Sequence, residues 1–106
     1  MSEFDLYQES AMSTAIYPPH FSVIYPALGL AGEAGEVAER VKKGIRDNDG
    51  VFDREAIKKE LGDVLWYVAN LAADLEINLS EVAEANLRKL SDRAARKVLN
   101  GDGDNR

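Results

Sequence analysis

The sequence predicts an all-α fold, a four-helix-type bundle that forms oligomers. Three observations carry this prediction. Apolar residues recur at intervals of three and four along four successive segments, the spacing that lines one face of a helix. Helix-breaking clusters separate the segments: Pro18-Pro19, Asp47-Asn48-Asp49-Gly50 and Asn78-Leu79-Ser80. The composition, 45% apolar with 3 prolines in 106 residues, sustains a single core and offers few interruptions elsewhere.

A first amphipathic segment covers about Glu3 to Ala15. Pro18-Pro19 interrupts it, because proline has no N–H to donate and restricts the residue before it. A linker from Pro18 to about Ser22 leads to a second helix, with Pro26 in its first turn, where a missing N–H costs little. Its core stripe is Leu30, Ala34, Val37 and Val41, and it ends at about Gly44–Arg46. Asp53 is placed to cap a third helix, from about Arg54 to Leu75, with Ile57, Leu61, Val64, Val68, Leu71 and Leu75 on one face. Ser80 is expected to cap a fourth helix reaching about Val98, with Val82, Ala83, Leu87 and Leu90 facing inward. Residues 1–98 read as one helical domain and 99–106 as a polar, disordered tail.

Composition excludes several functions. Without cysteine there are no disulfides and no thiolate metal sites. The lone histidine, His20, excludes a His-rich zinc centre and a di-iron site built on two Glu-x-x-His motifs. A net charge of −6 argues against a nucleic-acid partner, which would want a basic stripe. The N-terminus lacks the basic and apolar regions of a signal peptide. No apolar run approaches the roughly 18 residues that span a bilayer. A cytoplasmic protein with neither nucleic-acid nor membrane partners is expected.

Chemistry concentrates in two acidic pairs, Glu33 with Glu36 and Glu60 with Asp63. Residues at i and i+3 share a helix face, about 5–6 Å apart at Cβ. Each pair therefore sets two carboxylates side by side, and each borders an apolar stripe. Like charges that close raise one another's pKa unless something neutralises them. A hard divalent cation such as Mg2+ or Ca2+ resolves the conflict, being ligated by carboxylate oxygens. Two pairs in one small chain suggest one site of four carboxylates.

The third helix carries more than one apolar face. Val64 to Ala73 is almost without polar residues, and Trp66, Ala69 and Ala73 point away from the Val64–Val68–Leu71 face. A helix that is apolar all round is buried all round. Either a partner subunit covers the second face, most simply through a two-fold dimer, or the N-terminal helix does.

The run Gly29-Leu30-Ala31-Gly32-Glu33-Ala34-Gly35-Glu36-Val37-Ala38-Glu39, then Val41-Lys42-Lys43, then Glu60-Leu61-Gly62-Asp63-Val64-Leu65-Trp66-Tyr67, closely resembles the MazG-type all-α nucleoside triphosphate pyrophosphohydrolases. Their pattern is Glu-x-x-Glu, a spacer, then Glu-x-x-Asp. The likeness extends from about Tyr7-Gln8 to Arg93. It implies a helical bundle that is a homodimer or homotetramer. It also implies Mg2+-dependent hydrolysis, with Mn2+ as a substitute, of a (deoxy)nucleoside triphosphate to monophosphate and pyrophosphate in nucleotide-pool house-cleaning. The residues support this chemistry independently: a triphosphate and an acidic pocket are both negative and meet only through bridging cations. Glu33, Glu36, Glu60 and Asp63 are assigned as metal ligands and catalytic residues. Which of them instead takes the proton of the attacking water stays open.

Other residues have two readings each. Tyr67, one turn beyond Asp63, either stacks on the nucleobase, as the resemblance implies, or packs in the core. Asn70, in an apolar stretch, makes either a structural contact or a base or sugar contact. Asn86, Lys89 and Arg93 share a face at i, i+3, i+7 and resemble the family's later Asn-x-x-Lys signature. They would hold phosphate charge; the alternative is a solvated face. Lys43 and Arg46 close the second helix, where the dipole favours cations in any case; Lys43 is counted among the phosphate-binding candidates. The resemblance alone puts Gln8, Thr14 and Tyr17 in a base pocket. Gly29 lies on the acidic flank. Gly32, Gly35 and Gly62 each cost about 0.8–1 kcal/mol relative to alanine in a helix, which points to close approach of a ligand or of another helix.

Two rival functions remain on sequence grounds. One is a non-catalytic, dimerising interaction module whose carboxylates hold a structural cation. The other is a hydrolase of the same fold acting on an alarmone or a nucleotide sugar. The position of both acidic pairs beside apolar stripes favours a site, since solvated charges centre opposite the stripe.

Overall fold

The computed structural model describes residues 2–96. Every regular element among them is helical: α1 (Glu3–Met12), a 3-10 turn (Pro19–Phe21), α2 (Ile24–Asp47), α3 (Arg54–Asp74) and α4 (Leu79–Ala95). The all-α expectation holds. The expected end of the fourth helix at Val98 and the tail at 99–106 lie outside the described residues. No described helix is long and apolar enough to cross a membrane.

Side-chain chemistry sets the helix ends. Ser2 Oγ accepts the Asp5 N–H at 3.3 Å and starts α1. The helix stops short of the expected Ala15. Ser13 and Thr14 turn their hydroxyls onto the Ser10 and Ala11 carbonyls, at 2.6 and 3.0 Å. Short hydroxyl side chains compete in this way with the helical pattern. Pro26 is buried in the first turn of α2, as expected. Asp53 caps α3 by accepting the Ala56 N–H at 3.1 Å. At the end of α3, Glu76 takes φ 59°. Its N–H donates to Ala73 O at 2.9 Å, and the Ile77 N–H donates to Ala72 O at 2.8 Å. These are the paired bonds of a left-handed helix terminus.

α2 and α3 form an antiparallel hairpin, the most extensive helix contact in the chain. Its pairings run in opposite sequence order: Gly44 against Phe52, Arg40 against Glu60, Gly29 against Tyr67. A Cβ at position 29 would collide with the Tyr67 ring, so glycine there permits the close approach.

α1 lies across α3 and decides between the two readings of the second apolar face. Ala69 is wholly buried with Ala11 and Leu79, flanked by Tyr7, Trp66 and Val68. Trp66 Nε1 donates to Thr14 Oγ1 at 2.8 Å. The face of Trp66 and Ala69 is thus covered within the chain, not left for a partner subunit. The small Ala11 and Ala69 let the two helices meet closely. The stripe expected to be the core is less covered: Leu61 is 53% exposed and Leu75 51%. In α4, Leu87 is 66% exposed and Leu90 38%, against the expectation that both face inward. The reason is topological, because α4 packs on α1 and α3 and leaves part of its stripe outside.

The anchor of α4 also differs from expectation. Ser80 does not cap it. The Leu79 and Ser80 N–H groups donate to Gln8 Oε1 at 3.0 Å and Asp5 Oδ1 at 3.1 Å, so α1 caps α4. Gln8 Nε2 donates in turn to Ala69 O and Ile77 O, at 3.1 and 3.0 Å. One buried side chain thereby ties α1, the end of α3 and the start of α4.

Candidate functional site

The α2–α3 hairpin brings three of the four predicted carboxylates together. One oxygen each of Glu33, Glu60 and Asp63 lies within 4.8 Å of the others. Glu33 and Glu60 are half-buried and Asp63 is exposed. Glu36, one turn beyond Glu33, is exposed and stands outside this group, although its charge still acts on Glu33. Desolvation raises the Glu33 pKa, and repulsion from Asp63, Glu60 and Glu36 raises it further. Glu33 Oε2 is buried with no hydrogen-bond partner. Such an orphaned acceptor is unfavourable unless something supplies positive charge. The donor set is all oxygen, which suits a hard divalent cation and not a metal that seeks nitrogen or sulfur. Orphaned oxygen and donor set together fit such an ion.

The site also holds a cation outside the predicted set. Arg40 Nε lies 3.3 Å from Glu60 Oε2. Arg40 stands at i+4 from Glu36 and i+7 from Glu33, on the acidic row of α2. That register was the signal for it.

Tyr67 packs within the chain, as the second of its readings has it. Its half-buried ring packs across Gly29 and joins an aromatic series with Tyr25 and Trp66, at centroid distances of 6.4 and 5.0 Å. Tyr25 in turn stacks on Tyr17 at 4.8 Å. Burial first, then Tyr25, then the charges of Glu33 and Asp63 raise the Tyr67 pKa. Tyr7 is similar: burial and then Asp63 raise its pKa. No pattern in the sequence marked Tyr7 or Tyr25 as neighbours of the site.

The remaining candidates lie on other turns and other helices. Lys43 is ten residues past Glu33 and exposed, about 15 Å along the helix. Asn86 is exposed, Lys89 is half-buried and Arg93 is 3% exposed, which removes the solvated-face reading for Arg93. The charges that raise the Glu33 pKa, Asp63, Glu60 and Glu36, belong to α2 and α3. Asn70 is 1% exposed and donates to Trp66 O at 3.1 Å and Ala11 O at 3.4 Å, a structural role. Gln8 is consumed by its latch, Thr14 by Trp66, and Tyr17 by Asp74, whose Oδ2 accepts the phenol at 2.8 Å. A Cβ at Gly32, Gly35 or Gly62 would meet nothing, so packing between helices of this chain explains none of these three glycines.

The family model described as MazG nucleotide pyrophosphohydrolase domain matches residues 25–97. Among curated proteins, the Gene 37 protein of Mycobacterium phage L5 is 49% identical over 111 residues, covering 96% of this chain and 97% of its own. No solved structure matches significantly.

Proposed function

This chain belongs to the MazG nucleotide pyrophosphohydrolase domain family, and from that premise we propose that it hydrolyses a nucleoside triphosphate to monophosphate and pyrophosphate with a divalent cation, Mg2+ or Mn2+. The observation that carries the reading is the Glu33–Glu60–Asp63 group with its orphaned Glu33 Oε2. These three residues would hold the cation, with Glu36 one turn along α2 completing the set. When bound, the ion would neutralise phosphate charge and polarise the P–O bonds. Water adds to the phosphorus next to the nucleoside, and its proton passes to a carboxylate of the group. The bond from that phosphorus to the bridging oxygen breaks, and pyrophosphate leaves. Tyr67, whose pKa the charges of Glu33 and Asp63 raise, offers an aromatic face to the base.

Chromatography of early time points, with pyrophosphatase omitted, tests the reaction. Monophosphate and pyrophosphate are expected in equal amounts; orthophosphate released through a diphosphate overturns the proposal. Asp63→Asn and Glu36→Gln are each expected to lower turnover at least about 100-fold, because the cation supplies several kcal/mol. Near-normal turnover of both at saturating Mg2+ would falsify the site.

The same reading includes a homodimer or homotetramer. Ile24 and Leu28 on α2, Leu61 and Leu65 on α3 and Leu87 on α4 are all exposed. Large apolar side chains left open on three helices favour a covering partner, and a second copy meets that need. Light scattering across a concentration series is expected to give a multiple of the chain mass; a single-chain mass at high micromolar concentration rejects the assembly.

A further inference from the structure

Arg40 has no part in the reaction as set out above, yet it is the cation that touches the acidic group. We propose that Arg40 is a built-in counter-ion for Glu60: it holds that carboxylate when no divalent cation is bound, competes with the cation for it, and then turns to the phosphates of the substrate. The inference rests on the proposed function and assigns a positioning residue to it.

Four observations support the exchange. Only Nε of the guanidinium engages Glu60, at 3.3 Å, and among the described residues its two terminal amino groups make no other bond. They remain available to an oxyanion. The two partners differ in burial: the Glu60 side chain is 13% exposed and that of Arg40 44%. Glu60 is therefore the seated member and Arg40 the one with room to swing. A pair this exposed is weak and readily exchanged. Finally, Arg40 lies on the row of Glu33 and Glu36, so phosphates gathered at those carboxylates lie along the path of its side chain. Guanidinium suits this task better than ammonium, because its planar fork matches two phosphate oxygens at once.

Glu33 gives the exchange its direction. Its buried Oε2 has no hydrogen-bond partner among the described residues, and carboxylate oxygens of Glu60 and Asp63 lie within 4.8 Å of its own. Arg40 thus neutralises one carboxylate and leaves the group short of positive charge. A divalent ion held by Glu33, Glu60 and Asp63 would supply more charge than Arg40 does. The displaced guanidinium would then be released to the substrate's own negative charge.

The test measures Mn2+ binding by electron paramagnetic resonance, without nucleotide, in the wild type, Arg40→Gln, Arg40→Lys, Glu60→Gln and the Arg40→Gln/Glu60→Gln double variant. Arg40→Gln is expected to bind Mn2+ at least about threefold tighter, the size of effect an exposed ion pair carries. The gain should vanish in the Glu60→Gln background, since the cycle isolates the pair. Affinity for a non-hydrolysable triphosphate at saturating Mg2+ should move the opposite way and fall about tenfold, with Arg40→Lys restoring part of it. Unchanged or weaker Mn2+ binding by Arg40→Gln overturns the proposal, and so does an equal gain with Glu60→Gln already in place. Arg40→Met keeps the test decisive if Arg40→Gln does not fold: it likewise removes the charge that pairs with Glu60 and should tighten Mn2+ binding, and no change rejects competition. A wild type that binds no Mn2+ overturns the cation site itself, which separates that failure from the failure of Arg40's role.

Discussion

Replacing Gln8 with methionine should unfold more of this protein than any change at the acidic group. The Gln8 side chain makes three hydrogen bonds to backbone: it accepts from Leu79 N at 3.0 Å and donates to Ala69 O and Ile77 O at 3.1 and 3.0 Å. Methionine has nearly the same volume, so cavity formation contributes little. The loss is polar. The Leu79 N–H is left buried and unpaired, at about 1–3 kcal/mol, and each carbonyl forfeits a net bond of about 0.5–1.5 kcal/mol. The expected total is roughly 3–4 kcal/mol, a large part of the about 5–15 kcal/mol that holds a typical domain together. Gln8→Glu should be worse. It keeps the acceptor for Leu79 but aims a carboxylate oxygen at two carbonyl oxygens, a buried charge without a partner. Urea unfolding followed by circular dichroism measures both variants, at fixed protein concentration because assembly couples to stability. KM for the nucleotide is measured beside it. A Gln8→Met variant within about 1 kcal/mol of wild type refutes the latch. A raised KM at unchanged stability would instead return Gln8 to the base pocket that the family resemblance implied.

Two further expectations concern the backbone and pH. Glu76→Gly should stabilise the protein by about 0.5–1 kcal/mol, because Glu76 sits at φ 59°, where a side chain is unfavourable and glycine is not; a loss of stability in the same urea assay contradicts this. The Tyr17 pKa is pushed up to about 12 by burial, then by its hydrogen bond to Asp74 and that group's charge. Its folded pKa exceeds the unfolded value of about 10, so the stabilisation is complete below pH 10 and is lost as pH rises from 10 to 12. Tyr17→Phe should flatten the pH dependence of unfolding in that window, and an unchanged profile removes the Tyr17–Asp74 contact from the account.

The helices and the acidic group were legible in the residues because both depend on short-range geometry. The apolar stripes, the Asp53 cap, the prolines and the i, i+3 acidic pairs all operate within one or two turns of chain. The hairpin then brings Glu33 beside Glu60 and Asp63 as their positions beside the apolar stripes suggested. The resemblance added more than periodicity could, naming a reaction that four carboxylates alone do not specify. What lay beyond reach was every relation set by how helices dock. Helical periodicity marks Ala69 as apolar but not whether α1 or a second subunit covers it. It places Leu87 on a stripe without saying that α4 packs elsewhere, and it leaves Gln8 an ordinary polar residue until Leu79 and Ile77 arrive from about seventy positions away. Arg40 lies between these cases. Its register on α2 was visible, but Glu60 comes from the other helix, and that pairing follows from the antiparallel offset of α2 on α3, the same offset that packs the Tyr67 ring across Gly29. Local spacing determines which side chains share a helix face. Which faces meet is decided by close packing between segments distant in sequence, where one added Cβ is enough to shift the alignment.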